Sequence, residues 1–430
     1  MPKLKLHWQI LTALLLAVVA GTLAGTDAAL FGVRFYAMFD VIGTLFLNAL
    51  KMLIVPLVAS SIVVGVAGAG SDNAFGRIGL KALLYYVTTN LLAILVGLAV
   101  VNMVAPGIVD GLPARDLVGL SADTGDMLAK IEGKDTSDLV EIFLRMVPTN
   151  VVAAAADGQM LGLVFFSLLF GFFMAKIEGP YAVIQLKFWQ GMFRVMMRIT
   201  AWVMKFAPIG VFGLVAKVVA STGYGAFEPL AWFFISALAG LALFFLVVLP
   251  LLLFFVGQVN PLRHYRAMAP ALLTAFSTCS SAATLPLTME CVEKQACVSN
   301  RITSFVLPLG ATLNLAGTAL YECVAAMFIA QVYGIELGFV QQFTIVLMAL
   351  VTSIGVAGIP SGSMAAIAII LTTIGLPIEA IGLILAVDQV LDMCRTSVNV
   401  FSDSCGAVII ARLTGETEVL GEPSLPCEIH

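Results

Sequence analysis

The chain has 430 residues, 60% of them hydrophobic and 11% charged, with a mean hydropathy of +1.05. Soluble domains carry about a quarter charged residues, and no water-soluble fold of this length could hide so much apolar surface, so the bilayer is the expected solvent. A net charge of −4 offers no basic surface to nucleic acid, and the three histidines (His7, His264, His430), none in an apolar run, leave little for zinc or histidine-dependent hydrolase chemistry.

The first apolar run follows Lys3 and Lys5 and extends from Ile10 to about Gly25. A cleaved signal peptide and an uncleaved first helix both fit it, and the further spans that follow favour the helix. A span needs about 20 mostly apolar residues, and 8–26, 38–69, 81–105, 158–176, 188–219 and 228–257 are near or beyond that length. Lys3, Lys5 and His7 precede the first run, Arg77 and Lys81 follow the second, Arg263, His264 and Arg266 follow the sixth, and Arg412 closes the last. That basic bias predicts a multi-pass protein of the cell (inner) membrane with both termini cytoplasmic. The polar stretch 110–145, with eight acidic and four basic residues, reads as a solvated external loop. All seven cysteines lie at or after Cys279, without CxxC spacing, and read as small apolar residues rather than staples.

Beyond Ala269 the pattern changes. Ser277–Pro286 and Gly355–Ser363 are small, hydroxyl-rich patches with a proline, each between apolar flanks too short to span alone. Irregular backbone at membrane depth survives only against protein or a watery cavity. Two re-entrant helical hairpins meet that condition, their half-helix N-termini aimed at an anionic ligand. Small-residue helix packing is the alternative.

Between the patches, Leu307–Glu322 places Asn314, Thr318 and Glu322 at i, i+4 and i+8, on one face of a helix, while Asn314 and Gly317 suggest an unwound stretch with free carbonyls. Glu322 has no basic neighbour in sequence. Burial disfavours its charged form, so a neutral, proton-carrying acid and a hydrogen-bonded structural acid both fit.

The last helix carries the strongest signal. At 100° per residue, Asp388, Asp392, Arg395, Asn399 and Asp403 fall within roughly an 80° arc. Each intramembrane charge costs at least about 2.5–3.5 kcal/mol. A structural Asp–Arg pair accounts for two of these charges, not for three carboxylates against one guanidinium, and the surplus negative charge asks for a cation. Arginine is the fork that takes a carboxylate, a carboxylate can hold an ammonium, and a carboxylate with amide and carbonyl oxygens suits sodium. An acidic amino acid with a co-ion satisfies the set. A neutral cargo would leave Arg395 without an anion, and a C4-dicarboxylate would leave Asp392 unneutralised. A channel more often uses symmetric rings or loops. An intramembrane hydrolase would need a base near Ser280 or Ser361, so the chain is not read as an enzyme.

These residues lie in longer motifs: SSAATLPLT at 280–288, LPLGATLNLAGTALYE at 307–322, GIPSGS at 358–363 and LDMCRTSVNVFSD at 391–403, with YYVTTN at 85–90 and VPTN at 147–150. Over nearly its whole length the chain resembles the dicarboxylate/amino acid:cation symporters, the glutamate and aspartate transporter family. The resemblance implies an all-α polytopic membrane protein with an elevator fold: eight transmembrane helices, two re-entrant helical hairpins and a homotrimer among membrane lipids. It divides the chain into scaffold helices (1–75), a transport-domain helix (76–107), an extracellular loop with further scaffold helices (108–225), the transport domain (226–414) and a cytoplasmic tail (415–430).

It further implies that Arg395 binds the substrate's side-chain carboxylate and Asp392 its amino group, with Thr318, Thr396 and Asn399 assisting. Ser280 and Ser281 would hold the main-chain carboxylate, and Gly358 to Ser363, with Ile359, Pro360 and Gly362, would form a gating tip. One sodium site would use Asp403 and the carbonyls of Gly310, Asn314 and Asn399, and a second the carbonyls around Thr312, Ser353, Ile354 and Val356. A third would use Tyr86, Thr89, Asn90 and Asn314, but Ala316 stands where the family commonly has an aspartate. The arginine that archaeal members place on the first hairpin is Cys279 here, and the one that animal members place on the last helix is Met393. Glu322 matches the acid taken as proton carrier in the animal transporters, which implies proton coupling with fewer sodium ions. No cofactor is implied beyond Na+ and/or H+ as coupling ions.

Overall fold

Prolines and capping side chains cut the long apolar runs into helices. The computed structural model describes residues 6–30, 33–69, 76–115, 117, 147–156, 160–222, 227–335, 337–355 and 362–420. In chain order the helices are α1 (Leu6–Ala24), α2 (Phe35–Ala69), α3 (Gly76–Val104), α4 (Val151–Ala156), α5 (Met160–Met174), α6 (Pro180–Met204), α7 (Ala207–Thr222), α8 (Phe227–Leu243), α9 (Leu249–Phe255), α10 (Pro261–Thr278), α11 (Ser281–Lys294), α12 (Asn300–Leu313), α13 (Ala316–Val332), α14 (Phe339–Gly355), α15 (Gly362–Ile374) and α16 (Ile381–Leu413). Two short antiparallel ribbons, Ala29–Leu30 with Val33–Arg34 and Ile108–Val109 with Leu112–Pro113, follow α1 and α3.

Among the described residues three stretches are long and apolar enough to cross a membrane: Ile78–Val104, Phe227–Phe255 and Asn300–Val332. The first two correspond to expected spans. The expected span 188–219 is bent instead, by 55° between Pro180–Val203 and Ala207–Ser221. Pro208 explains the bend, because it lacks the N–H that would continue the ladder and its ring crowds the preceding turn. In the second span, a π-helical turn at Phe244–Val248 precedes Pro250, and the Phe245 carbonyl accepts a hydrogen bond from the Tyr265 hydroxyl.

α1, α2, α5, α6 and α7 pack on one another, while α3, α8 and α10 to α16 pack around α13 and α16. In the first set, backbones approach through glycine. A Cβ on Gly213 would lie 2.8 Å from the Phe39 carbonyl oxygen and 2.9 Å from the Gly43 nitrogen. Gly213→Ala is therefore expected to pry α7 from α2 and to remove about 1–3 kcal/mol of stability, read as a lower melting temperature of the detergent-purified protein. An unchanged melting temperature would mean that the helices are not held so closely.

The second set surrounds α13 completely: of its residues only Gln331 is not buried. α10 and α11 form a helical hairpin against α16, and α14 and α15 pair on α13. The chain does not leave this body at residue 414. Ser299 donates to the Glu416 carboxylate from both its backbone N–H (3.1 Å) and its hydroxyl, and the Leu420 N–H donates to the Ala296 carbonyl. Residues 415–420 are thus packed rather than a free tail, and 421–430 lie outside the described residues.

Two further expectations need correction. His264 is not a loop charge: it lies in the first turns of α10, fully buried, with Nε2 2.9 Å from the Ser404 hydroxyl. Cys297 is disulfide-bonded, unlike Cys279, Cys291, Cys323, Cys394 and Cys405, which are free.

Candidate functional site

The hairpin of α10 and α11 turns at Cys279, in the left-handed conformation (φ 52°), and Ser280, in extended backbone. Ser280 caps α11 by accepting a hydrogen bond from the Ala283 N–H (3.2 Å), so a helix N-terminus with its partial positive charge begins beside α16. The next residue, Ser281, is buried, and its hydroxyl has no hydrogen-bond partner. The Cys279 sulfur accepts from the Gln389 amide (3.5 Å).

Facing it, α16 carries the charged stripe inward. Arg395 is 1% exposed. Its Nη1 donates to Asp388 Oδ1 at 2.8 Å and its Nε to Asp392 Oδ1 at 2.9 Å. The guanidinium sits over the Tyr321 ring, 4.5 Å from its centre. Nη2 is buried without a hydrogen-bond partner. Thr396 donates to the same Asp392 oxygen at 3.5 Å. From the second helical pair, Ser363 near the start of α15 is also buried with an unpartnered hydroxyl. Three potential donors (Arg395 Nη2, Ser281 Oγ and Ser363 Oγ) thus come from α16 and from two helix starts that pack on it. Buried polar groups ordinarily find partners, so such a set suits an anionic ligand.

The expected unwound stretch exists. α12 ends at Leu313, and Asn314 (φ −114°, ψ 69°) and Leu315 (φ −97°, ψ 55°) leave the helix before α13 begins. This break parts the expected Asn314–Thr318–Glu322 face, because Asn314 lies before it and the other two within α13. Asn399 Oδ1 accepts from the N–H groups of Gly317 (2.8 Å) and Thr318 (3.3 Å), and its Nδ2 donates to Thr318 Oγ1 (3.0 Å). A residue of α16 therefore caps α13. The fit is tight, since a Cβ on Gly317 would lie 2.7 Å from the Arg395 carbonyl oxygen.

On the other side of the break, Asn314 Nδ2 donates to Asp403 Oδ1 (2.9 Å) and Ser402 Oγ (3.0 Å), and its Oδ1 accepts from Thr89 (3.0 Å). A Cβ on Gly310 would fall 2.6 Å from Asp403 Oδ1, so that backbone also lies against the carboxylate. Tyr86 donates to the Val306 carbonyl (2.6 Å), and Asn90 to the Leu313 carbonyl and Ser353 Oγ (3.2 Å each). Thr312 bonds within its own helix, to the Leu309 carbonyl (2.9 Å). Ala316, fully buried, supplies no anion to the Tyr86–Thr89–Asn90–Asn314 group. Glu322 Oε2 lies 2.8 Å from the Thr352 hydroxyl, and its other oxygen is buried without a partner. Val356, Ile359 and Pro360 lie outside the described residues, Ile354 is in the last turn of α14 without a described side chain, and Gly362 opens α15.

Asp388, Tyr321, Ser402 and Thr352 were not singled out as site residues, and all four touch those that were. Only Asp388 had a sequence signal, its place on the charged stripe. Tyr321 and Thr352 look like ordinary residues of apolar helices until tertiary packing turns them toward Arg395 and Glu322.

A family model described as the sodium:dicarboxylate symporter family matches residues 6–413. The chain belongs to that family. It is thus a multi-pass membrane transporter, mostly helical, of a group coupled to sodium or protons. Among similar members, the proton/sodium-glutamate symport protein of Bacillus caldotenax is 36% identical over 416 residues, covering 97% of this chain and 96% of its own. Excitatory amino acid transporter 3 of Mus musculus is 35% identical over 455 residues, covering 96% and 86%. The proton/glutamate-aspartate symporter of Escherichia coli (strain K12) is 33% identical over 430 residues, covering 98% of each.

Proposed function

We propose that this symporter takes up glutamate or aspartate with Na+ and/or H+ by elevator alternating access. The observation that carries the reading is Arg395: a buried guanidinium held on two sides by Asp388 and Asp392, with Nη2 still free to receive a carboxylate. The unpartnered Ser281 and Ser363 hydroxyls suit the substrate's second carboxylate, with Ser280 beside them. Asp392 holds the amino group in this reading, with Thr318, Thr396 and Asn399 assisting; the Thr396–Asp392 and Asn399–Thr318 hydrogen bonds support it. Ile359, Pro360 and Gly362 complete the gate in this proposal. The names of the glutamate and glutamate-aspartate relatives support the choice of cargo.

For the cations, Asp403 with the backbone of Gly310, Asn314 and Asn399 forms one sodium site, and the backbone around Thr312, Ser353, Ile354 and Val356 a second. The weak third group is Tyr86, Thr89 and Asn90, and Glu322 is the proton carrier. Helix packing supports a scaffold of 1–75 and 108–225 and a moving unit of 76–107 and 226–414. Eight spans, two re-entrant hairpins, a homotrimer in the cell (inner) membrane and cytoplasmic termini complete the proposal.

The test is uptake of labelled glutamate and aspartate by reconstituted proteoliposomes, with sodium and proton gradients imposed separately. Accumulation of either amino acid under either gradient is expected. Uptake of succinate in preference to both would overturn the cargo. Asp403→Asn is expected to raise the sodium requirement about 10-fold or more, since a neutral amide replaces a charged ligand of a hard ion.

A further inference from the structure

His264 has no part in the site described so far, yet it is fully buried and touches the segment that carries Asp403. The Ser404 hydroxyl lies 2.8 Å from the Phe401 carbonyl oxygen and 2.9 Å from His264 Nε2, so an imidazole protonated on Nε2 makes both contacts hydrogen bonds. The imidazole also lies against the Phe401 ring (5.2 Å between centres). The next residue, Tyr265, stacks on the same ring at 4.3 Å and 14°, and its hydroxyl is anchored on the π-helical turn at Phe245. Two consecutive residues of α10 therefore grip Phe401 and Ser404 of α16, on either side of Ser402 and Asp403. Those two point the opposite way, to Asn314. A helix held at two positions cannot rotate about its axis, and rotation is the motion that would carry Asp403 off Asn314 and the Gly310 backbone.

We infer that His264 is a positioning residue of the sodium site: its bond to Ser404 fixes the rotation of α16 that presents the Asp403 carboxylate to the ion. The inference rests on the assignment of Asp403 to a sodium site. Groups that orient a metal ligand through a hydrogen bond influence affinity without touching the ion.

The experiment measures glutamate binding to the purified full chain as a function of sodium, for wild type, His264→Leu, His264→Gln and Asp403→Asn, with a melting curve for each. Leucine fills the space and removes the donor, whereas the Gln amide can reach the Nε2 position. His264→Leu is expected to raise the half-saturating sodium concentration roughly 10-fold or more, and His264→Gln to recover most of that loss. Glutamate affinity at saturating sodium should stay near the wild-type value in both. A His264→Leu curve that overlays wild type, while Asp403→Asn has lost its sodium response, overturns the inference alone. So does a His264→Leu defect that saturating sodium fails to correct, or that follows the melting temperature with no rescue by Gln. If Asp403→Asn keeps the wild-type sodium response, or wild type has none, the sodium site itself is misassigned and the inference falls with it.

Discussion

Arg395→Lys is expected to leave a folded transporter that has lost its acidic substrates. Lysine keeps the positive charge that Asp388 and Asp392 require, so the buried charge balance survives. What disappears is the planar fork. Arg395 donates Nε to one aspartate and Nη1 to the other, and still holds Nη2 for a ligand, with its face against Tyr321. A lysine ammonium is a compact point charge whose protons the two aspartates would take. Losing a buried, charge-assisted contact to the substrate costs about 3 kcal/mol, so the half-saturating concentration of glutamate should rise about 100-fold. A value within a few-fold of wild type would remove Arg395 from the proposed site. Arg395→Ala is the poorer probe, because it strands two buried carboxylates and should destabilise the fold itself by about 3–5 kcal/mol.

Glu322→Gln should separate proton drive from substrate binding. Thr352 Oγ1 lies 2.8 Å from Glu322 Oε2 and also 2.8 Å from the Met348 carbonyl oxygen, but it has one proton to give. A carboxylic acid that carries its own proton satisfies both contacts: Glu322 donates to Thr352, and Thr352 donates to Met348. Glutamine mimics that neutral state permanently. The variant should bind glutamate and respond to sodium, yet lose the accumulation driven by an imposed pH gradient. One pH unit supports about tenfold accumulation per coupled proton, a difference that an uptake assay resolves easily. Persistence of the proton drive in the variant, or its absence from wild type, would make Glu322 a structural acid.

The parts legible in the sequence were those where a local period carries the signal. The stripe from Asp388 to Asp403 needs only 3.6 residues per turn, and the break at Asn314 and Leu315 follows from residues that unwind helices. The turn at Cys279 and Ser280 was readable from hydroxyls and proline where apolar residues would continue a span, while 356–361, the second such patch, lie outside the described residues. Illegible were features decided by partners far along the chain. His264 sits among Arg263, Tyr265 and Arg266, a cluster that reads as loop charge, and only its approach to Ser404 shows it to be interior. A continuous helix would put Asn314 on one face with Thr318 and Glu322, whereas the same residue opens the break that parts them. The bend before α7 was within reach, since Pro208 is visible in the run, but hydropathy alone passes over a single proline.

The burial of α13 has a consequence for how the chain is made. A segment with protein on every side depends on neighbours from both directions of synthesis, here α3 and α8 before it and α14, α15 and α16 after it. When α13 leaves the ribosome, half of its surroundings do not yet exist. Glu322 then has no Thr352 beside it, and Thr318 no Asn399. The nascent protein must pass through a stage in which its most polar interior faces lipid, the insertion machinery or water, and that stage ends only when the last helix enters the membrane.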